Sequence, residues 1–152
     1  MSDNALAALV PFLFIGIWLI VALVTYHFSG WAKLVERFPD RLDQPVRRLR
    51  FRSGRMGKGS RWNPWGGVSY SGCLRFDICR TGLRVAAWRI ALPFSQPFLV
   101  PWDKIAVEQQ RFLFFRYYRL TFGSGELSAL TIDHRAFRAI AEDGLLKVGR
   151  IA

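Results

Sequence analysis

Three hydrophobic patterns succeed one another along this chain: an unbroken apolar run, a short stretch with helical spacing, and a series of short alternating segments. The run Ala5 to Phe28 has no charged side chain over 24 residues, about 36 Å as helix at 1.5 Å per residue. A bilayer core of about 30 Å needs roughly twenty residues, so the pattern predicts a transmembrane helix. Pro11 and Gly16 are awkward inside a soluble helix but tolerated in a membrane one. Trp18, near the middle, is expected to face lipid or a partner helix. A removable signal fits poorly: no Lys or Arg precedes the run, and no small-x-small cleavage site comes after it.

Beyond the run, Trp31, Leu34, Val35 and Phe38 recur at i, i+3, i+4 and i+7, one apolar face of a short helix that Pro39 ends. This helix either lies along the membrane surface or packs against the C-terminal domain. After Pro45 the spacing changes to two. "VRRLRFRS" predicts a strand, and "RMGKGSRWNPWGGVSYS" a long loop leading to a strand at Val68. Leu74, Phe76 and Ile78 alternate with Arg75 and Asp77, and Leu83, Val85 and Ala87 with Arg84 and Ala86. With Thr81–Gly82 between them they form a hairpin. "PFLVPWDKIAVEQQR" predicts a strand broken at Pro101 and a second one through Ile105 and Val107; "FLFFRYYRLTF" is read as one aromatic strand, Phe112 to Phe122. The turn "GSGE" separates it from "LSALTI", apolar on both faces. Asp133 is the expected N-cap of a short helix lined by Phe137, Ile140 and Ala141.

The predicted fold is a membrane-anchored α+β chain. An N-terminal transmembrane helix precedes a small antiparallel β domain closed by a short C-terminal helix. Residues 1–31 form the outer N-terminus and span, 32–45 the juxtamembrane helix and linker, and 46–152 the β domain.

Charge sets the orientation. The net charge is +11, and residues 31 to 60 carry nine Lys or Arg against three Asp or Glu. Lys33, Arg37 and Arg41 come directly after the run, whereas only Asp3 precedes it. The positive-inside rule then places the N-terminus outside and the β domain in the cytoplasm. Tyr26, Trp31, Lys33 and Arg37 are the expected interfacial anchors. With a span beside it, a basic surface points to anionic phospholipid rather than nucleic acid. Arg47, Arg48, Arg50, Arg52, Arg55, Lys58 and Arg61, with Trp62 and Trp65, are the expected contacts for anionic lipid or a partner.

Candidate chemistry is sparse. Cys73 and Cys79 in one strand would lie about 20 Å apart, too far to bond. They fit buried thiols in a reducing compartment. His27 and His134 stand alone, and no metal or cofactor set is predicted. "GRMGKGSR" lacks the spacing of a phosphate loop. Asp103 and Glu108 are expected as ordinary exposed acids, and Ser69, Ser71 and Ser95 have no nearby histidine in sequence, so no catalytic residue is assigned.

"DICRTGLRVAAWRIALPFSQPFLVPWDKI", with Gly82, Leu83, Pro101, Trp102, Asp103 and Ile105, resembles small bacterial single-pass membrane proteins carrying a pleckstrin-homology-like (PH-like) module. The resemblance implies a curled antiparallel sheet closed by a terminal helix, in the bacterial inner membrane, and brings no catalytic residues with it. The expected function is a non-catalytic accessory or scaffold subunit of a larger inner-membrane complex, with other integral membrane proteins as partners. The alternatives are an independent anionic-lipid-binding module and a membrane enzyme whose site assembles only in three dimensions.

Overall fold

The computed structural model describes residues 3–57, 67–123 and 128–143. Helix α1 (Asp3–Phe28) is succeeded by a tight turn at Ser29–Gly30 and by α2 (Trp31–Arg37). Seven strands come next: β1 (Pro45–Gly57), β2 (Val68–Cys79), β3 (Gly82–Ala87), β4 (Phe98–Pro101), β5 (Ile105–Phe112), β6 (Phe115–Phe122) and β7 (Ala129–Asp133). The chain ends its described part with α3 (His134–Glu142). One 3₁₀ turn, Trp102–Lys104, separates β4 from β5, where Pro101 interrupts the ladder. All neighbouring strands are antiparallel, in the order β4-β3-β2-β1-β7-β6-β5.

The sheet curls around one core. Phe76, Phe98, Phe122, Leu74, Leu83, Leu120 and Leu130 are all sealed from solvent there. The alternation in β2 puts Leu74, Phe76 and Ile78 inside. Asp133 caps α3, its Oδ1 accepting from Ala136 N at 3.0 Å. Ala136, Phe137 and Ile140 then turn inward, and the Phe137 ring stacks on Tyr118 with centroids 3.8 Å apart. Val35 and Phe38 of α2 and its linker pack on the same core, beneath the buried Trp31 and Leu34.

Gly82 opens β3 where the backbones nearly touch: a Cβ there would sit 2.1 Å from the Val100 carbonyl oxygen. Gly82→Ala is expected to pry β3 from β4 and to cost about 3 kcal/mol or more, the upper end for overpacking. Gly54→Ala should cost less. Its Cβ would meet rotatable side-chain tips, Leu130 at 3.0 Å and Leu74 at 3.1 Å, although the Thr131 carbonyl at 3.2 Å adds some crowding. Thermal melting of the two variants side by side checks the order.

Among the described residues one helix, Asn4–Phe28, is long and apolar enough to cross a membrane. Its far end belongs to the domain. Ala22 is buried in the domain core and Tyr26 packs against it. Ser128 Oγ donates to the Ser29 carbonyl at 2.8 Å. Residues 4 to 21, exposed or nearly so on all sides, cover about 27 Å of helix.

Candidate interaction face: a basic groove with an apolar rim

Strand β1 carries most of the arginines that the sequence nominates, and it is not a regular strand. Leu49 and Met56 are both core residues, seven positions apart, which strict alternation forbids. An irregularity resolves the parity. Phe51 takes a left-handed φ of 53°, and the β1–β2 register shifts between Leu49 and Arg52. A non-glycine residue pays about 1–2 kcal/mol for that conformation, and here the Phe51 side chain is thrown out to solvent, 72% exposed. Gly72 (φ 66°) accommodates a further shift on β2, and its N–H donates to Ser53 Oγ at 2.8 Å.

The irregularity scatters the arginines. Arg47 pairs with Asp143 at 3.7 Å, and Arg48 with Asp77 at 3.2 Å. Arg50 is exposed. Arg52 and Arg55 are half-buried and line a groove of about 620 Å³. Lys58, Arg61, Trp62 and Trp65 lie outside the described residues. The expected basic patch on β1 is therefore divided: Arg47 and Arg48 reach Asp143 and Asp77, while Arg52 and Arg55 line a groove that Glu108 also lines.

That groove lies on the outer face of the sheet. Arg55, Thr131, Arg119 and Glu108 stand opposite one another across β1, β7, β6 and β5, while Met56, Leu130, Leu120 and Val107 hold the inner face. Arg111 joins Arg52 and Arg55 in the lining, with Glu108 and Asp133 as the acids and Phe51 and Phe112 as the large apolar side chains. Asp133 is already engaged in capping α3. The Nε of Arg52 is buried without a hydrogen-bond partner among the described residues, a donor that a groove ligand can satisfy. Three guanidiniums in one groove suit a carboxylate or phosphate better than a neutral ligand.

The groove's rim is apolar. β5 and β6 are joined at Leu113–Phe114, and Leu113 has φ 53°. The tip exposes Phe112, Leu113 (73%), Phe114 (96%) and Phe115. The sequence reading of Phe112 to Phe122 as one strand is corrected here, because the chain reverses inside "FLFF". The aromatic segment Phe112 to Phe122 reads in the sequence as surface for a partner, but Arg111 beside it is not among the nominated contacts. The signal at the tip is four large apolar residues in a row, where a half-buried strand alternates. Phe51 also meets Trp88 edge-to-face at 6.3 Å, and Trp88 and Ile90 are both more than half exposed.

Trp31 is also corrected. Expected at the membrane surface as an anchor, it is fully buried. Its Nε1 donates to the Gln96 carbonyl at 2.7 Å, and its ring meets Phe98 at 5.2 Å and Tyr70 at 5.8 Å. Gly30, with φ 77°, turns the chain back so that the apolar face of α2 meets the sheet rather than lipid. Lys33 and Arg37, on the opposite side of α2, are exposed. Tyr26 is half-buried against the core. Burial raises the Tyr70 phenol above its ordinary value, with the neighbouring Ser29 hydroxyl partly offsetting it.

A second polar cluster fastens the linker between α2 and β1. Arg84 Nε donates to Asp40 at 2.6 Å, and its Nη2 to the carbonyls of Arg41 (2.7 Å) and Asp43 (2.9 Å). Burial works against this charge, but the Asp40 bond leads the contributions that hold the guanidinium above its usual range. Asp77, fully buried, lies 3.7 Å from Arg84 and 3.3 Å from Arg75. Asp43 Oδ2 accepts from Thr81 Oγ1 at 2.6 Å and from its N–H at 3.2 Å. Those Thr81 bonds lower the Asp43 pKa, so this clasp is present at neutral pH and is lost as pH falls through the lowered value.

Both thiols, Cys73 and Cys79, are free and raised above their usual value by burial, which keeps them protonated and slow to react at neutral pH. Among the described residues no three His, Cys, Asp or Glu side chains group to hold a metal ion. A scan of the sequence against protein-family models and a search of curated proteins find no match for the chain.

Proposed function

We propose that the chain is a single-pass accessory or scaffold subunit of a bacterial inner-membrane complex, with a non-catalytic PH-like domain on the cytoplasmic face. The PH-like reading is supported by the strand order, with seven antiparallel strands wound round one core and a terminal helix closing on β6 and β7. The cytoplasmic placement is supported by Lys33, Arg37 and Arg41 directly after α1.

One observation carries the proposal: the last turns of α1 are part of the domain core. A lipid-targeting module on a tether needs only a flexible linker. Here the domain is mounted at a fixed angle, which a subunit needs if it is to hold neighbours in register. α1 offers them a helix exposed along its flanks. Gly16 on it has nothing within 4 Å of where a Cβ would sit, a notch of the kind that lets membrane helices approach closely. On the domain, β5 is a terminal strand paired on one side only, an edge open to strand addition.

The test is purification of the chain from its native membranes in mild detergent, with mass determination of everything retained. Integral membrane subunits are expected in fixed stoichiometry. A lone monomer or homodimer overturns the accessory-subunit reading.

A further inference from the structure

We propose that the groove and its apolar rim form a second membrane contact, in which the β5–β6 tip and the Trp88–Gln96 loop enter the bilayer surface and Arg52, Arg55 and Arg111 take an anionic lipid headgroup. This rests on the reading of α1 as a span, and it moves the lipid contact from the residues the sequence nominates to a surface that only the fold assembles.

The rim is continuous. Ile90 and Trp88 lead to Phe51 through the edge-to-face contact at 6.3 Å. Phe51 and Phe112 bound the same groove, and Phe112 opens the tip that continues through Leu113, Phe114 and Phe115. A convex hairpin tip whose outermost ring is 96% exposed has little to gain from a flat protein surface. It is suited to a fluid apolar phase, where aromatic and aliphatic side chains seat at headgroup level. The charges beside it have the matching sign. Arg111 and Arg116 bracket the tip, and Arg52 and Arg55 lie behind it in the groove. Each basic residue near an anionic leaflet contributes attraction of that sign. Glu108 and Asp133 also face the groove and oppose it.

The sign of the charge and the exposed apolar tip together select lipid over a protein partner. The Trp88–Gln96 loop ends on the carbonyl that takes the Trp31 indole bond, which ties it to the segment that follows α1. The tip lies about 23 Å along β6 from Phe122 at strand rise, so both reach one bilayer surface when the sheet lies along it.

The experiment uses the full chain in nanodiscs of phosphatidylcholine alone or of phosphatidylcholine with phosphatidylglycerol. An environment-sensitive dye is attached to Phe114→Cys or to Ile90→Cys, with the labelled unsubstituted chain as the blank. Both positions are expected to give blue-shifted emission, quenched by lipids brominated high on the acyl chain, and more strongly in the anionic discs. Arg52→Glu with Arg111→Glu should abolish the difference between the two lipid compositions. Water-like emission in both discs overturns the proposal, as does an equal response in both. A blue shift confined to native membranes with their proteins overturns it in favour of a protein partner. Alkaline extraction separates the two readings. A chain released from the discs refutes the span, whereas a retained chain with a water-exposed label refutes the second contact alone.

Discussion

Trp31→Ala is expected to remove about 3–5 kcal/mol of stability, the range for truncating a large buried aromatic residue. That is a large share of the roughly 5–15 kcal/mol that holds a typical domain folded. The indole fills the junction between α1, α2 and the sheet. It touches Phe98 and Tyr70 edge-to-face, and through Phe98 it reaches Phe122, 5.9 Å further into the core. Trp31→Phe keeps much of the packing but leaves the Gln96 carbonyl without its donor, about 1 kcal/mol for a neutral bond besides the smaller ring. Chemical unfolding monitored by circular dichroism should rank the chains wild type, Trp31→Phe, Trp31→Ala. A surface anchor would behave differently. Its loss would leave unfolding unchanged and weaken only membrane association.

Arg84→Met comes second, with an expected loss of about 3 kcal/mol, the lower end for removing one member of a buried ion pair. Asp77 would stay buried with only Arg48 and Arg75 nearby, both about 40% exposed and so partly screened. The linker would also lose three bonds at once, to Asp40 and to two carbonyls. Arg84→Lys should recover little, because a single ammonium cannot span the three directions that the planar guanidinium fork covers. Hydrogen exchange adds a local signature, with faster exchange at the Thr81 amide that Asp43 holds while the β5–β6 ladder stays protected. A loss below about 1 kcal/mol, the level of an exposed ion pair, would show that the cluster is solvated and does not fasten the linker.

The parts of the fold that the sequence announces are those where one physical signal acts alone. The Thr81–Gly82 hairpin, the break at Pro101 and the Asp133 cap each arise from local chemistry, and each stands where expected. The apolar run likewise forms one helix. The β5–β6 turn is hidden because two-residue turns are usually marked by Asn or Gly. Here Leu113 supplies the left-handed residue, with nothing polar to announce it. The β1 irregularity is hidden for the same reason: Phe51 sits where a glycine is expected. Phe51 lines the groove and Leu113 directly follows Phe112, which also lines it, so the candidate site is the least legible part of the chain. Its arginines are visible one by one, but which of them line the groove depends on a one-residue shift of register.

Trp31 shows a different limit. Its helical spacing with Leu34 and Phe38 gives the correct apolar face, but amphipathicity does not say whether lipid or protein covers that face. The turn at Gly30 decides it.

The rigid mounting of the domain on α1 is the claim on which the proposed function depends. It is tested most directly by the distance between spin labels at Asn4→Cys and Gln109→Cys, with the chain in nanodiscs and Cys73 and Cys79 replaced by alanine. Asn4 opens the helix that is long and apolar enough to cross a membrane, and Gln109 is an exposed residue of β5. A single narrow distance distribution is expected, broadened by Trp31→Ala. A broad distribution in the otherwise unchanged chain would mean that the domain swings freely on its anchor, and would contradict the reading of anchor and domain as one body.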